Sequence, residues 1–102
     1  MEEAGGWVYI LASDRFGTIY TGSTRDIMRR VYEHREGLIP GFTRKYGVTK
    51  LVWYEAHEGV SAAYSHEQDI KRWRRAWKIM LIEEKNPHWE DLYPGLIRFG
   101  AP

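Results

Sequence analysis

At 102 residues, 43% hydrophobic and 28% charged, the chain has material for one core but not for a catalytic domain plus a separate specificity domain, so residues 1–102 read as a single domain. Its net charge of +1 argues against a strongly basic nucleic-acid coat, and the absence of cysteine excludes disulfides, thiolate nucleophiles and cysteine-held zinc. No apolar run is long enough to span a bilayer or act as a secretory signal, which makes the cytoplasm the expected compartment and a membrane partner unexpected.

In chain order, Trp7-Val8-Tyr9-Ile10-Leu11-Ala12 is apolar at every position, as expected of a central strand covered on both faces. Asp14-Arg15-Phe16-Gly17 reads as a turn in which glycine supplies the awkward backbone angles, and Thr18 to Gly22 returns as the second strand of a hairpin. An even number of connecting residues sets position 13 against 18, 11 against 20 and 9 against 22. Tyr9 and Tyr20 then share a face as diagonal neighbours, roughly 7 Å apart at the Cα, whereas a one-residue slip would separate them.

Ser23 or Thr24 can cap a helix that starts near Asp26, whose carboxylate suits the positive end of the dipole, and Gly37 closes it. The sheet-facing stripe of that helix is Ile27, Arg30, Val31 and His34, so a guanidinium and an imidazole flank two aliphatic residues. Arg30 there needs an anion or dense hydrogen bonding, unless its stem carries the charge out to water. Phenol, guanidinium and imidazole gathered beside a sheet suit phosphate chemistry.

Residues 38–48 hold Pro40, Gly41 and Gly47 and read as a loop in which Thr43, Arg44, Lys45 and Tyr46 offer polar and basic contacts, either to a backbone phosphate or to solvent. Lys50 to His57 is a third strand. Ser61 caps a long helical pattern with Ile70, Trp73, Trp77 and Met80 along a core stripe, and Glu67 borders that seam, where a partner cation or a metal would explain it. The pattern runs to Glu84, which predicts a bend or break near Lys78 to Met80 before Asn86-Pro87 ends it. His88 to Leu96 reads as a tail packed by its aromatic residues. The four histidines, His34, His57, His66 and His88, lack a paired metal-ligand spacing, so no zinc site is expected. Most of the five tryptophans belong to the core; an exposed one among basic residues would stack a base.

Charge is sorted along the chain. Seven Lys or Arg lie between Arg25 and Lys50 against three acids, and Lys71, Arg72, Arg74, Arg75 and Lys78 form a run with no acid inside it. A solvated helix face and a phosphate track both account for such a run.

The ordered set of Tyr9, Tyr20-Thr21-Gly22, Arg30 ten residues beyond Tyr20, His34 one turn later and Glu67 on the next long helix resembles the GIY-YIG endonuclease domain, the family of the nucleotide-excision-repair incision subunit and of intron homing endonucleases. The resemblance covers nearly the whole chain and is closest to small standalone bacterial or archaeal members. Gly41 to Gly47 before Leu51-Val52-Trp53-Tyr54-Glu55, and Lys71-x-Trp73 followed by Leu81-Ile82-Glu83 and Asn86-Pro87-x-Trp89, are similar to that group. The first tripeptide here is Trp7-Val8-Tyr9, the second has Thr21, and a lysine that some members carry after the second motif is Ser23.

The resemblance implies an α+β fold, a small three-stranded antiparallel sheet flanked by helices, and metal-dependent hydrolysis of nucleic-acid phosphodiesters, DNA ahead of RNA, leaving a 5′-phosphate and a 3′-hydroxyl. It implies one Mg²⁺ or Mn²⁺ on Glu67, Tyr9 as general base, Arg30 stabilising charge on phosphorus, and Tyr20 and His34 orienting the phosphate, the water or Tyr9. Ser23, Arg29, Arg44, Lys45, Lys71 and Arg74 are the expected nucleic-acid contacts. The alternative is a catalytically silent nucleic-acid-binding module of the same fold. A third reading is a protein-interaction domain on which the basic surface is incidental.

Overall fold

A computed structural model describes residues 5–99. Its elements in chain order are β1 (Gly6–Ala12), β2 (Ile19–Thr24), α1 (Ile27–Arg35), α2 (Phe42–Tyr46), β3 (Lys50–His57), α3 (Val60–Arg72), α4 (Arg75–Lys85) and α5 (Tyr93–Phe99). The strands form one antiparallel sheet in the order β2-β1-β3, which is the expected α+β architecture and leaves β2 at one edge and β3 at the other. Among the described residues no helix is long and apolar enough to cross a membrane.

Both faces of β1 are buried because its side chains alternate between two cores. Val8, Ile10 and Ala12 pack with Val52, Trp53, Ala63, Ile70, Ile82 and Trp89 under α3 and α4. On the other face Tyr9 and Leu11 pack with Ile27, Val31, Val48, Leu51, Tyr93 and Leu96 under α1 and α5. An irregularity in the β1–β3 ladder between Ile10 and Leu11 leaves Val52 as an extra residue. Val52 and Trp53 therefore enter the same core in succession.

The hairpin register is the expected one, Tyr9 opposite Gly22 and Leu11 opposite Tyr20. The turn differs in detail: the left-handed residue is Phe16, at φ 58°, and not Gly17. Phe16 is held there by its ring against Trp89, 5.3 Å between centroids, and by Arg75, whose guanidinium donates to the Phe16 and Gly17 carbonyls at 2.8 and 2.7 Å. β2 also runs two residues further than expected, so Ser23 lies in the strand and is no helix cap. Asp26 caps α1 itself, its carboxylate accepting from Arg29 N–H at 3.2 Å, while Thr24 Oγ1 accepts from Asp26 N–H.

Gly37 closes α1 as expected. At φ 68° it makes a Schellman motif, with Gly37 N–H donating to the His34 carbonyl and Leu38 N–H to that of Glu33.

Residues 38–48 are not all loop, because Phe42–Tyr46 forms α2, bracketed by Gly41 and by the left-handed Gly47. Five residues are too few to print a helical period. Gly59, not Ser61, is the N-cap of α3. The break after α3 falls at Trp73 and Arg74, some five residues before the expected place, because both take extended backbone angles there and α4 starts afresh. The new direction moves Trp77 and Met80 off the core stripe and leaves them 50% and 69% exposed, while Ile82 takes the buried position. The tail is packed by its aromatics as expected, through Trp89 and Tyr93, but from Tyr93 it is helical.

Candidate active site

The site is organised around Gly22. In the register described above the Tyr9 phenol crosses the backbone of β2 at Gly22, and a Cβ there would lie 2.5 Å from the Tyr9 hydroxyl and 3.1 Å from the Tyr20 ring. Only a residue without a side chain lets the hydroxyl reach the sheet edge. The two tyrosine rings lie 6.4 Å apart, and Tyr20 is further framed by Phe42, stacked at 6.3 Å, and by His34 at 5.5 Å.

His34 is buried on α1 and bridges two hydroxyls, with Nε2 3.1 Å from Tyr9 Oη and Nδ1 2.9 Å from Thr43 Oγ1. Burial, reinforced by the neighbouring Arg30 guanidinium and opposed by Glu33, pushes its pKa down to about 4, so the ring is neutral near pH 7. A neutral imidazole has one donor and one acceptor nitrogen, which matches one hydroxyl on each side. Burial next to Tyr20 pushes the Tyr9 phenol well above the usual tyrosine range; Arg30 pulls it down, and Glu67 adds to the rise. Tyr9 is thus protonated at rest.

Arg30 leaves the buried stripe. It is partly exposed, its guanidinium donating to Glu33 Oε1 at 3.4 Å and facing the Tyr9 phenol, so it has both an anion and a route to water.

Glu67 comes from α3 on the opposite face of the sheet and is buried. Ser23, one position past Gly22 and so on that face, donates its hydroxyl to Glu67 Oε1 at 2.5 Å, and Lys71 Nζ lies 2.5 Å from Oε2. This pairing holds the Lys71 ammonium charged, its pKa raised. Lys71 also sits 5.8 Å from the centre of the Tyr20 ring, which links the two halves of the site around the β2 edge.

The structure thus brings together Tyr9, Tyr20, Arg30, His34, Glu67, Ser23 and Lys71. Ser23 and Lys71 are engaged by Glu67, which places them beside the carboxylate. Arg29, Arg44, Lys45 and Arg74 lie outside this cluster on exposed surface: Arg29 pairs with Glu33 at 3.3 Å, Lys45 lies over Tyr46 and Arg74 over Trp77. A groove of about 690 Å³ adjoins the cluster at Ser23 and Arg30, and its charged lining is mixed, Arg25, Arg29 and Arg30 with Asp26 and Glu33. Thr43 departs from the reading of 43–46 as phosphate contacts, since it is buried and holds His34. Its role was hidden with α2, whose only trace in the sequence is the pair of glycines at 41 and 47 that bracket it. Glu33, which sits between Arg29 and Arg30, carried no motif at all.

Two tyrosines, a neutral histidine and an arginine thus meet on one face of a three-stranded antiparallel sheet, with a buried glutamate reaching the same edge from the other face. The chain belongs to the GIY-YIG family: residues 5–80 match the GIY-YIG catalytic domain. It is 42% identical over 79 residues to a UPF0213 protein of Haloquadratum walsbyi, a match covering 76% of this chain and 86% of that one. It is also 36% identical over 80 residues to a UPF0213 protein of Clostridium perfringens, covering 78% and 85%. The solution NMR structure of a UPF0213 protein from Bacillus halodurans superposes with a TM-score of 0.53 at 32% identity, covering 85% of this chain and 92% of that one.

Proposed function

We propose that this chain hydrolyses nucleic-acid phosphodiesters, DNA ahead of RNA, with the scissile phosphate seated where Tyr9, Tyr20, Arg30 and His34 meet Glu67 and one Mg²⁺ or Mn²⁺ held by Glu67. The observation that carries this is the convergence at Gly22, where a phenol crosses a bare backbone to reach a sheet edge flanked by a buried carboxylate.

The donor set fits the proposed ion. Glu67 presents a buried carboxylate that already attracts one cation, the Lys71 ammonium, and Ser23 adds a hydroxyl oxygen; hard dications accept one or two carboxylates and keep several waters. When bound, the ion supplies Lewis-acid stabilisation of the charge developing on the phosphate oxygens. Arg30 contributes its charge and donors to the same oxygens. The Tyr9 phenol, pulled down by Arg30 and by the charge of a bound cation, loses its proton to solvent and Oη takes the proton of the attacking water, while neutral His34, with Nε2 3.1 Å away and Nδ1 on Thr43 Oγ1, orients the phenol. Arg29, Arg44, Lys45 and Arg74 track the backbone, and exposed Trp77, with Arg74 over its ring, offers a face for a base.

The test is nicking of labelled single-stranded, branched and duplex DNA with Mg²⁺ or Mn²⁺. Relative to the native chain, Tyr9→Phe and Arg30→Ala are expected to lose about 10²-fold or more in rate, and Glu67→Ala to be inactive. Equal activity in native and Glu67→Ala protein would end the metal assignment. One observation favours a silent binding module instead: Lys71 already sits on Glu67. That reading predicts DNA binding without cleavage under every metal tried.

A further inference from the structure

At the opposite edge of the sheet from Ser23, a second group of ligand-type side chains meets on the α3 face. Glu55 and His57 are two positions apart on β3 and so project from the same face, and the Glu58-Gly59 turn brings α3 back over them with His66 in its second turn. His66 precedes Glu67, but the two diverge around the helix: Glu67 turns to β2 and His66 to β3. His57 and His66 are nine positions apart and lie on different elements, which is why no paired ligand spacing was visible; they meet in space all the same, against the expectation of no zinc site.

Glu55 Oε1 lies 3.0 Å from His57 Nε2 and 3.5 Å from His66 Nε2, the imidazole rings are 5.3 Å apart, and one ligand atom from each residue falls within 4.8 Å of the others. His57 Nε2 is buried and, at this short distance, is not aligned for a hydrogen bond; among the described residues it has no hydrogen-bond partner. A simple ion pair leaves that nitrogen unexplained. An ion bonded tetrahedrally at 2.0–2.1 Å sets its ligand atoms about 3.3 Å apart, and the two measured separations from Glu55 bracket that value. Two imidazoles with one carboxylate suit borderline transition-metal dications, whereas Mg²⁺ prefers oxygen alone. Three protein ligands also leave a fourth position for water or an external donor.

We infer that Glu55, His57 and His66 form a second cation site, selective for a transition-metal dication of the Zn²⁺ class, that clips β3 to α3. It is independent of the nuclease reading.

The experiment titrates tag-free protein with Co²⁺, followed by visible absorption, and then with Zn²⁺, both in excess Mg²⁺. The expected result is one equivalent of Co²⁺ displaced by Zn²⁺, retained in Glu67→Gln and weakened at least about tenfold in His57→Gln and in His66→Gln. On the native chain, Zn²⁺ is expected to shift the ring ¹⁵N resonances of His57 and His66 and leave those of His34 and His88 in place. Binding that is unchanged in the double variant His57→Gln/His66→Gln, ring shifts confined to His34 or His88, or no Zn²⁺ binding at micromolar concentrations would each overturn it.

Discussion

Gly22 governs the candidate site through what it lacks. In Gly22→Ala the new methyl meets the Tyr9 hydroxyl at 2.5 Å, and the phenol must move. The expected outcome is a nicking rate lower by about 10²-fold, since small misplacements of reacting groups have that effect, and a loss of about 1–3 kcal/mol in urea unfolding from overpacking. His34 sets a second expectation. Its folded pKa, about 4, lies below the ordinary histidine value of 6.5, so between these two pH values the unfolded chain binds the extra proton and the folded chain does not. Stability should therefore be complete above pH 6.5 and decline as the pH falls toward 4, and the decline should shrink in His34→Gln when melting temperatures are compared. The residue types at these positions were legible in the sequence because phenol, guanidinium and imidazole are unusual on faces that should be aliphatic. Thr43 was not, because a threonine between glycines gives no sign of facing an imidazole.

Elements were legible where local chemistry decides them. The hairpin register followed from an even turn, and the end of α1 followed from Gly37, whose φ of 68° other residues adopt with strain. Gly37→Ala should cost about 1 kcal/mol in chemical denaturation, with nicking unaffected apart from that loss. Where packing decides, the sequence was silent. No glycine or proline marks the break between α3 and α4; Arg75 reaching the carbonyls of the hairpin turn and Ile82 replacing Met80 at the core fix the new direction. The meeting of His57 with His66 was hidden for the same reason, since it depends on how α3 lies over β3.

Across the whole molecule, the full burial of β1 announced a sheet covered on both sides, but not what closes the second side. That is the tail: Asp91 accepts from the backbone N–H groups of Leu51 and Tyr93 and pairs with Arg35 at 2.5 Å, tying α1, β3 and α5 together. The basic residues are spread over this frame, and an average charge of +1 conceals them. Lys71 is held at the buried Glu67 carboxylate, and the proposed phosphate contacts are the exposed Arg29, Arg44, Lys45 and Arg74, of which Arg29 shares Glu33 at the surface. Four such contacts give a slope of about −3 to −4 for log K of DNA binding against log salt concentration, measurable by anisotropy on labelled oligonucleotides; a slope near zero would point to a protein partner instead.

The displacement of Trp77 onto the surface equips the molecule with its own optical reporter. Trp53 and Trp89 are shielded from water and Trp7 and Trp73 are half-buried, whereas half of the Trp77 indole faces it, so acrylamide should quench a red-shifted share of the intrinsic fluorescence to which this residue contributes most. An oligonucleotide lying along the α3–α4 junction would mask that share without any dye being attached.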